Sequence, residues 1–179
     1  MIEVAIRLIV LLVKSYKFYF IRKPINQPSM KNIFDNDTMK EIINRINNLT
    51  PSSKRQWGEM EVSQMLAHCT SSLGFATGER KPTKILSVLG VTIGSFFKST
   101  YYNEKPFKKN RPTSKGSKIT DKREFYRERE LLTNKINQLI EGDEKCKNYP
   151  HPYFGYLTSK QWGMGIYKHL DHHLRQFNV

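Results

Sequence analysis

"TSKQWGMGIYKHLDHHLRQF", residues 158–177, carries three of the chain's five histidines within positions 169–173. Thr158 followed three residues later by Gln161 is the pattern of a capping box, which satisfies two orphan backbone groups at a helix start. The last helix is therefore placed from about Thr158. An upstream stretch repeats the plan: "SKRQWGEMEVSQMLAHC", residues 53–69, opens on Ser53 with Gln56 three positions on, and continues Trp57-Gly58 as the other continues Trp162-Gly163. His68 lies eleven residues after Trp57, and His173 lies eleven after Trp162. Gln64 and His169 occupy the matching places one helical turn earlier. If a pseudo-twofold relates the two helices, His68 and His173 face one another across a core.

The remaining segments read as helices as well. Asn36, Asp37 and Thr38 offer N-caps to a helix over about 37–49, with Met39, Ile42, Ile43, Ile46 and Leu49 at helical spacing and Pro51 as its stop. The second helix carries Val62, Met65, Leu66, Leu73 and Phe75 to about Thr77, where Gly78 and Pro82 break it. "TKILSVLGVTIGSFFKS", residues 83–99, is apolar without alternation and reads as an accessory helix, with Gly90 and Gly94 allowing close packing. Asn103 to Lys118 is basic and contains Pro and Gly, hence a long loop. Thr120 or Asp121 caps a further helix whose apolar face is Phe125, Leu131, Leu132, Ile136, Leu139 and Ile140, ended by Gly142. With no segment of period two, the predicted class is all-α: an up-down four-helix bundle with an accessory helix and a long basic loop.

On a helix, positions i and i+4 lie about 5–6 Å apart and point the same way, so His169 and His173 can offer two imidazoles to one ion. His68 supplies the third. Three protein ligands and an open position suit a divalent ion such as Zn²⁺ or Ni²⁺ in a catalytic site. His172 is out of phase and is assigned a neighbouring role; Gln64 and Gln176 lie on the ligand faces, where they can contact bound water or substrate. The competing reading makes "HLDHH" a solvated helix end favoured by the macrodipole and His68 a satisfied core histidine. Asp171 points away from the pair. Cys69 and Cys146 read as ordinary thiols, and His151, in "YPHPYFG", as a loop-packing residue. P-loop, GxSxG, CxxC and paired-carboxylate signatures do not occur.

At 179 residues the chain has the length of one domain, and two cysteines cannot form a disulfide framework. A reduced, cytoplasmic setting is the expectation. A net charge of +14 and a pI near 9.8 predict attraction to anions. Much of the excess lies between Lys98 and Arg123.

The first 29 residues, beginning "MIEVAIRLIVLLVKSYKFYFIRKP", are apolar and basic. Arg7 and Lys14 interrupt the run short of the ~20 apolar residues a membrane span needs, and the segment lacks a small-residue cleavage site. Residues 1–29 are read as an N-terminal extension, either a mis-assigned stretch upstream of a true start at Met30 or a membrane-surface helix, and residues 30–179 as the domain.

"QWGEMEVSQMLAHC" together with "FGYLTSKQWGMGIYKHLDHHLRQF" resembles the DinB-like, YfiT-like four-helix-bundle superfamily, in an uncharacterised branch of it. The resemblance covers about Met30 to Val179 and implies a divalent metal held by His68, His169 and His173. It further implies a metal-dependent transferase that uses a low-molecular-weight thiol, or a hydrolase variant using metal-bound water. The implied partners are a small-molecule substrate or thiol, with a homodimer left open. The alternative is a non-catalytic protein that binds nucleic acid or another anionic partner through the basic stretch, where Tyr101, Tyr102 and Phe107 interleave.

Overall fold

The computed structural model describes residues 30–111 and 116–179; the N-terminal extension lies outside them. The described residues are helical, and their only β-pairing is an isolated bridge between His151 and Gly155. The all-α expectation holds. Six α-helices follow in order: α1 Asn36–Asn47, α2 Val62–Leu73, α3 Lys84–Thr92, α4 Ser99–Tyr102, α5 Phe125–Glu141 and α6 Ser159–Gln176. Two 3₁₀ turns, η1 Gly94–Phe97 and η2 Asp143–Asn148, complete them.

Among the described residues the four longest helices close a ring in which α1 packs on α6, α6 on α2, α2 on α5, and α5 back on α1. Each presents an apolar stripe to the centre. Ile42 and Ile46 from α1, Met65 and Leu66 from α2, Leu132, Ile136 and Leu139 from α5, and Ile166, Leu170 and Leu174 from α6 are buried there. Each such side chain contributes roughly 1.5–3 kcal/mol through the area it withdraws from water. Leu131, which belongs to the predicted face of α5, stands 42 % exposed, because the buried stripe runs through Phe125, Glu128, Leu132, Ile136 and Leu139.

The helix starts show where local chemistry overrides pattern. α6 begins as expected: the Thr158 hydroxyl accepts from Gln161 N, and the Gln161 side chain accepts in return from Thr158 N. For α2 the matching box is displaced. Glu61 is the cap and Gln64 its reciprocal partner, so the helix starts at Val62 and Trp57 precedes it. Gly58 supplies the reason, with φ at +78°, a left-handed conformation that interrupts a helix and favours glycine. α5 is likewise capped by Glu124, whose carboxylate accepts from Tyr126 N and Arg127 N, rather than by Thr120 or Asp121.

Two close approaches set the position of α6. An added Cβ on Gly163 would land on the Asn32 side chain, and one on Gly165 would land inside the Tyr101 ring. Ile33 N donates to Gly163 O at 3.2 Å, so the lead-in to α1 and the short helix α4 both sit directly on the α6 backbone. His151 is buried beside them, stacked on Phe154 at 4.7 Å and close to Tyr101 and Trp162. It packs its loop, as the sequence suggested.

The apolar stretch 83–99 is not one helix. It divides into α3, η1 and the start of α4, and Gly90 and Gly94 bring it against the backbone of residues 151–155.

Candidate metal centre

α2 and α6 face each other, and their register brings His68, His169 and His173 together. One ring nitrogen from each lies within 4.8 Å of the others. The ring centroids are separated by 5.2 Å for His68 and His169, 4.8 Å for His68 and His173, and 4.7 Å for His169 and His173. This trio is the grouping of potential metal-binding side chains among the described residues.

Hydrogen bonds outside the trio fix two of the rings. His68 Nδ1 lies 2.8 Å from Ser117 O. A carbonyl can only accept, so Nδ1 carries the proton and the Nε2 lone pair turns toward the cluster. His173 Nδ1 lies 2.9 Å from Gln176 Oε1. The amide is held in that orientation because Gln176 Nε2 donates to Trp57 O at 2.7 Å. His173 is therefore also protonated on Nδ1, with its Nε2 free to coordinate. Orienting contacts of this kind are what metal-binding imidazoles require.

The remaining short contact decides what the trio can do. His68 Nε2 lies 3.2 Å from His169 Nε2. With His68 unprotonated there, His169 must donate a proton to it, or both lone pairs must converge on a cation. Two ligands on a tetrahedral ion at about 2.0–2.1 Å are about 3.3–3.4 Å apart. The separation fits such an ion.

Electrostatics favour the neutral, ligating form. Burial lowers the pKa of His68 against the opposing effect of its bond to Ser117. His169 is pushed well below its ordinary value by burial and then by the neighbouring imidazoles, and His173 to about 3, chiefly by burial. Three imidazoles in contact cannot all carry charge at neutral pH. They remain neutral, the form that binds metal.

The other residues singled out in the sequence fall around this centre. His172 is half-buried between Trp57 and Phe107, with ring centroids at 5.7 and 5.9 Å, and beside His173 at 5.2 Å. Burial lowers its pKa also. Gln176 holds His173. Gln64 sits elsewhere, accepting from Glu61 N and donating to Asp121 O at 3.2 Å, so it ties the α2 start to the segment before α5. Asp171 points away and binds Arg45 and Arg175. Cys69 is buried against Met65, and burial drives its thiol pKa upward; Cys146 is pushed up to about 11. Both thiols are free.

The described residues on either side of 112–115 in the basic stretch contact the surroundings of the centre. Ser117 O binds His68, Arg80 reaches Gly116 O, and Asn110 Oδ1 accepts from Gly58 N. Lys109 lies 4.3 Å over the Trp57 ring, while Lys118 pairs with Glu59. Two of the loop's cations, Lys109 and Lys118, are thus engaged by neighbouring side chains at the surface. Ser117 and Asn110 are the contributors that sequence reasoning did not find, since a backbone carbonyl and a loop amide carry no motif.

No curated protein and no solved structure matches the chain. A family model described as "Protein of unknown function (DUF1569)" matches residues 29–179. With that match spanning most of its length, the chain belongs to the DUF1569 family.

Proposed function

We propose that this protein is a DinB-like four-helix-bundle protein that binds one divalent ion through His68, His169 and His173 and serves as a metal-dependent transferase using a low-molecular-weight thiol. The observation that carries the reading is the convergence of three buried imidazoles, two of them with tautomers set by Ser117 O and Gln176. The closed ring of α1, α2, α5 and α6 supports the bundle assignment.

A bound divalent ion would supply Lewis acidity, favouring the thiolate, the nucleophilic form of a thiol. The chain's own groups account for the rest. Ser117 O and the Gln176 amide hold two ligand rings so that little reorganisation accompanies binding. Trp57 and Phe107 flank His172 beside the trio, an aromatic surface against which an organic substrate would pack. The loop carrying Phe107, Lys109 and Asn110 is the part that would select the substrate. Neither buried cysteine is placed to act as the nucleophile, so the thiol comes from outside.

The test is thiol consumption. Purified protein loaded with zinc or nickel is incubated with low-molecular-weight thiols and a panel of alkyl and epoxide electrophiles. Metal-dependent loss of thiol, abolished in His173→Ala, is expected. Loss at the same rate in His173→Ala, or no loss with any pair, would refute the transferase reading.

A further inference from the structure

The most exposed apolar surface among the described residues is an arm formed by α3 and η1. Ile85, Val88, Ile93, Phe96 and Phe97 are 60–84 % exposed within this one stretch. The arm is apolar nearly all round, yet among the described residues α3 touches none of the four long helices; it packs on η1 and, through Gly90, against the 151–155 backbone. A helix with apolar residues on most of its circumference is normally buried. This one is attached along its glycine edge and leaves its large side chains in solvent, which marks an interaction surface.

Charge identifies the occupant. Between Glu79 and Glu104 the only charged residues are Arg80, Lys81, Lys84 and Lys98, which bracket the apolar run, and the whole chain carries +14. A second copy would bring the same cations face to face and is disfavoured. An anionic lipid surface complements both features, taking the apolar side chains below the headgroups and the lysines at them. Met30 shares a surface cleft with Tyr102 and Lys105, residues that follow the arm in the chain. At nine residues α3 cannot cross a bilayer, and no helix of the described residues is long and apolar enough to do so. We propose that the arm Lys84–Phe97 docks this protein on the surface of an anionic membrane.

The test uses the full chain with vesicles of phosphatidylcholine alone and of phosphatidylcholine with phosphatidylglycerol. Phe97→Cys carries an environment-sensitive dye, selective because Cys69 and Cys146 are buried. The dye is expected to shift to the blue on anionic vesicles only. Val88→Ser/Phe96→Ser/Phe97→Ser should weaken binding roughly tenfold or more, as should Lys84→Glu/Lys98→Glu. These side chains stand at the surface, so the fold is retained, which circular dichroism checks. Vesicle binding without a dye shift would assign the contact to residues 1–29 alone and overturn the proposal. A shift that grows with protein concentration in the absence of lipid would assign the arm to a second copy and likewise overturn it, as would failure to bind anionic vesicles.

Discussion

Replacing His151 with Phe gives a quantitative check on how the loop beneath α6 is packed. His151 is 9 % exposed, and burial lowers its pKa to about 3. In the unfolded chain it titrates near 6.5. The folded state thus favours the neutral ring, and its stabilising effect is complete above pH 6.5 and lost as pH falls toward 3. At about 1.4 kcal/mol per unit, lowering the pH to 5 sacrifices roughly 2 kcal/mol, and the full span between the two values amounts to ~4–5 kcal/mol. Phe keeps the stacking on Phe154 but loses the acceptor for Tyr153 N, a bond of 3.1 Å worth about 1 kcal/mol. Urea unfolding of the metal-free wild type and of His151→Phe at pH 7.5 and 5.0 measures the difference; the ligand histidines largely cancel between the two, His151 being the smallest of the influences on His169. The variant should be the weaker protein at pH 7.5 and should lose about 2 kcal/mol less on acidification. Equal losses, within about 0.5 kcal/mol, would show that His151 is not held neutral and would refute the argument.

Three further outcomes follow from the same geometry. Gly165→Ala gains about 1 kcal/mol of helix propensity yet drives a methyl group into the Tyr101 ring, so thermal melts should show a net destabilisation of about 1–3 kcal/mol, partly relieved by Tyr101→Leu. Gln176→Leu removes the acceptor of His173 Nδ1, and zinc titration against a competing chelator should show affinity reduced about 10–100-fold with the fold intact. The lowered pKa values of the trio mean that protons compete for the ligands only in more acidic solution. Between pH 7.5 and 5.5, metal affinity should change by less than about tenfold, where three unperturbed imidazoles would lose about a thousandfold.

The parts of this protein that could be read from its sequence are those set by local chemistry. The Thr158–Gln161 box defines the start of α6, and the equal offsets of His68 and His173 from their tryptophans anticipate that the two rings meet. The second match works for a reason other than the one that suggested it. Trp57-Gly58 is not helical like Trp162-Gly163, because Gly58 is left-handed and α2 begins four residues later. Glu61 does the capping there, and a glutamate followed by glutamine is a fainter signature than serine or threonine. Gln176 was legible from its helical phase, whereas Ser117 was not, since it acts through its carbonyl across a separation of 49 residues. The arm 84–97 shows the limit of periodicity. Apolar content predicts a helix there, but whether its side chains are covered depends on the 151–155 backbone, which approaches the arm at Gly90, Val91 Cα and Gly94.

Whether His68, His169 and His173 form a metal centre is decided by elemental analysis of the purified, dialysed protein after exposure to zinc or nickel. The wild type should retain about one ion per chain; His68→Ala, His169→Ala and His173→Ala should each lose it, and His172→Ala should keep it. A wild type that retains no ion, or a His173→Ala protein that retains as much as the wild type, would contradict the assignment.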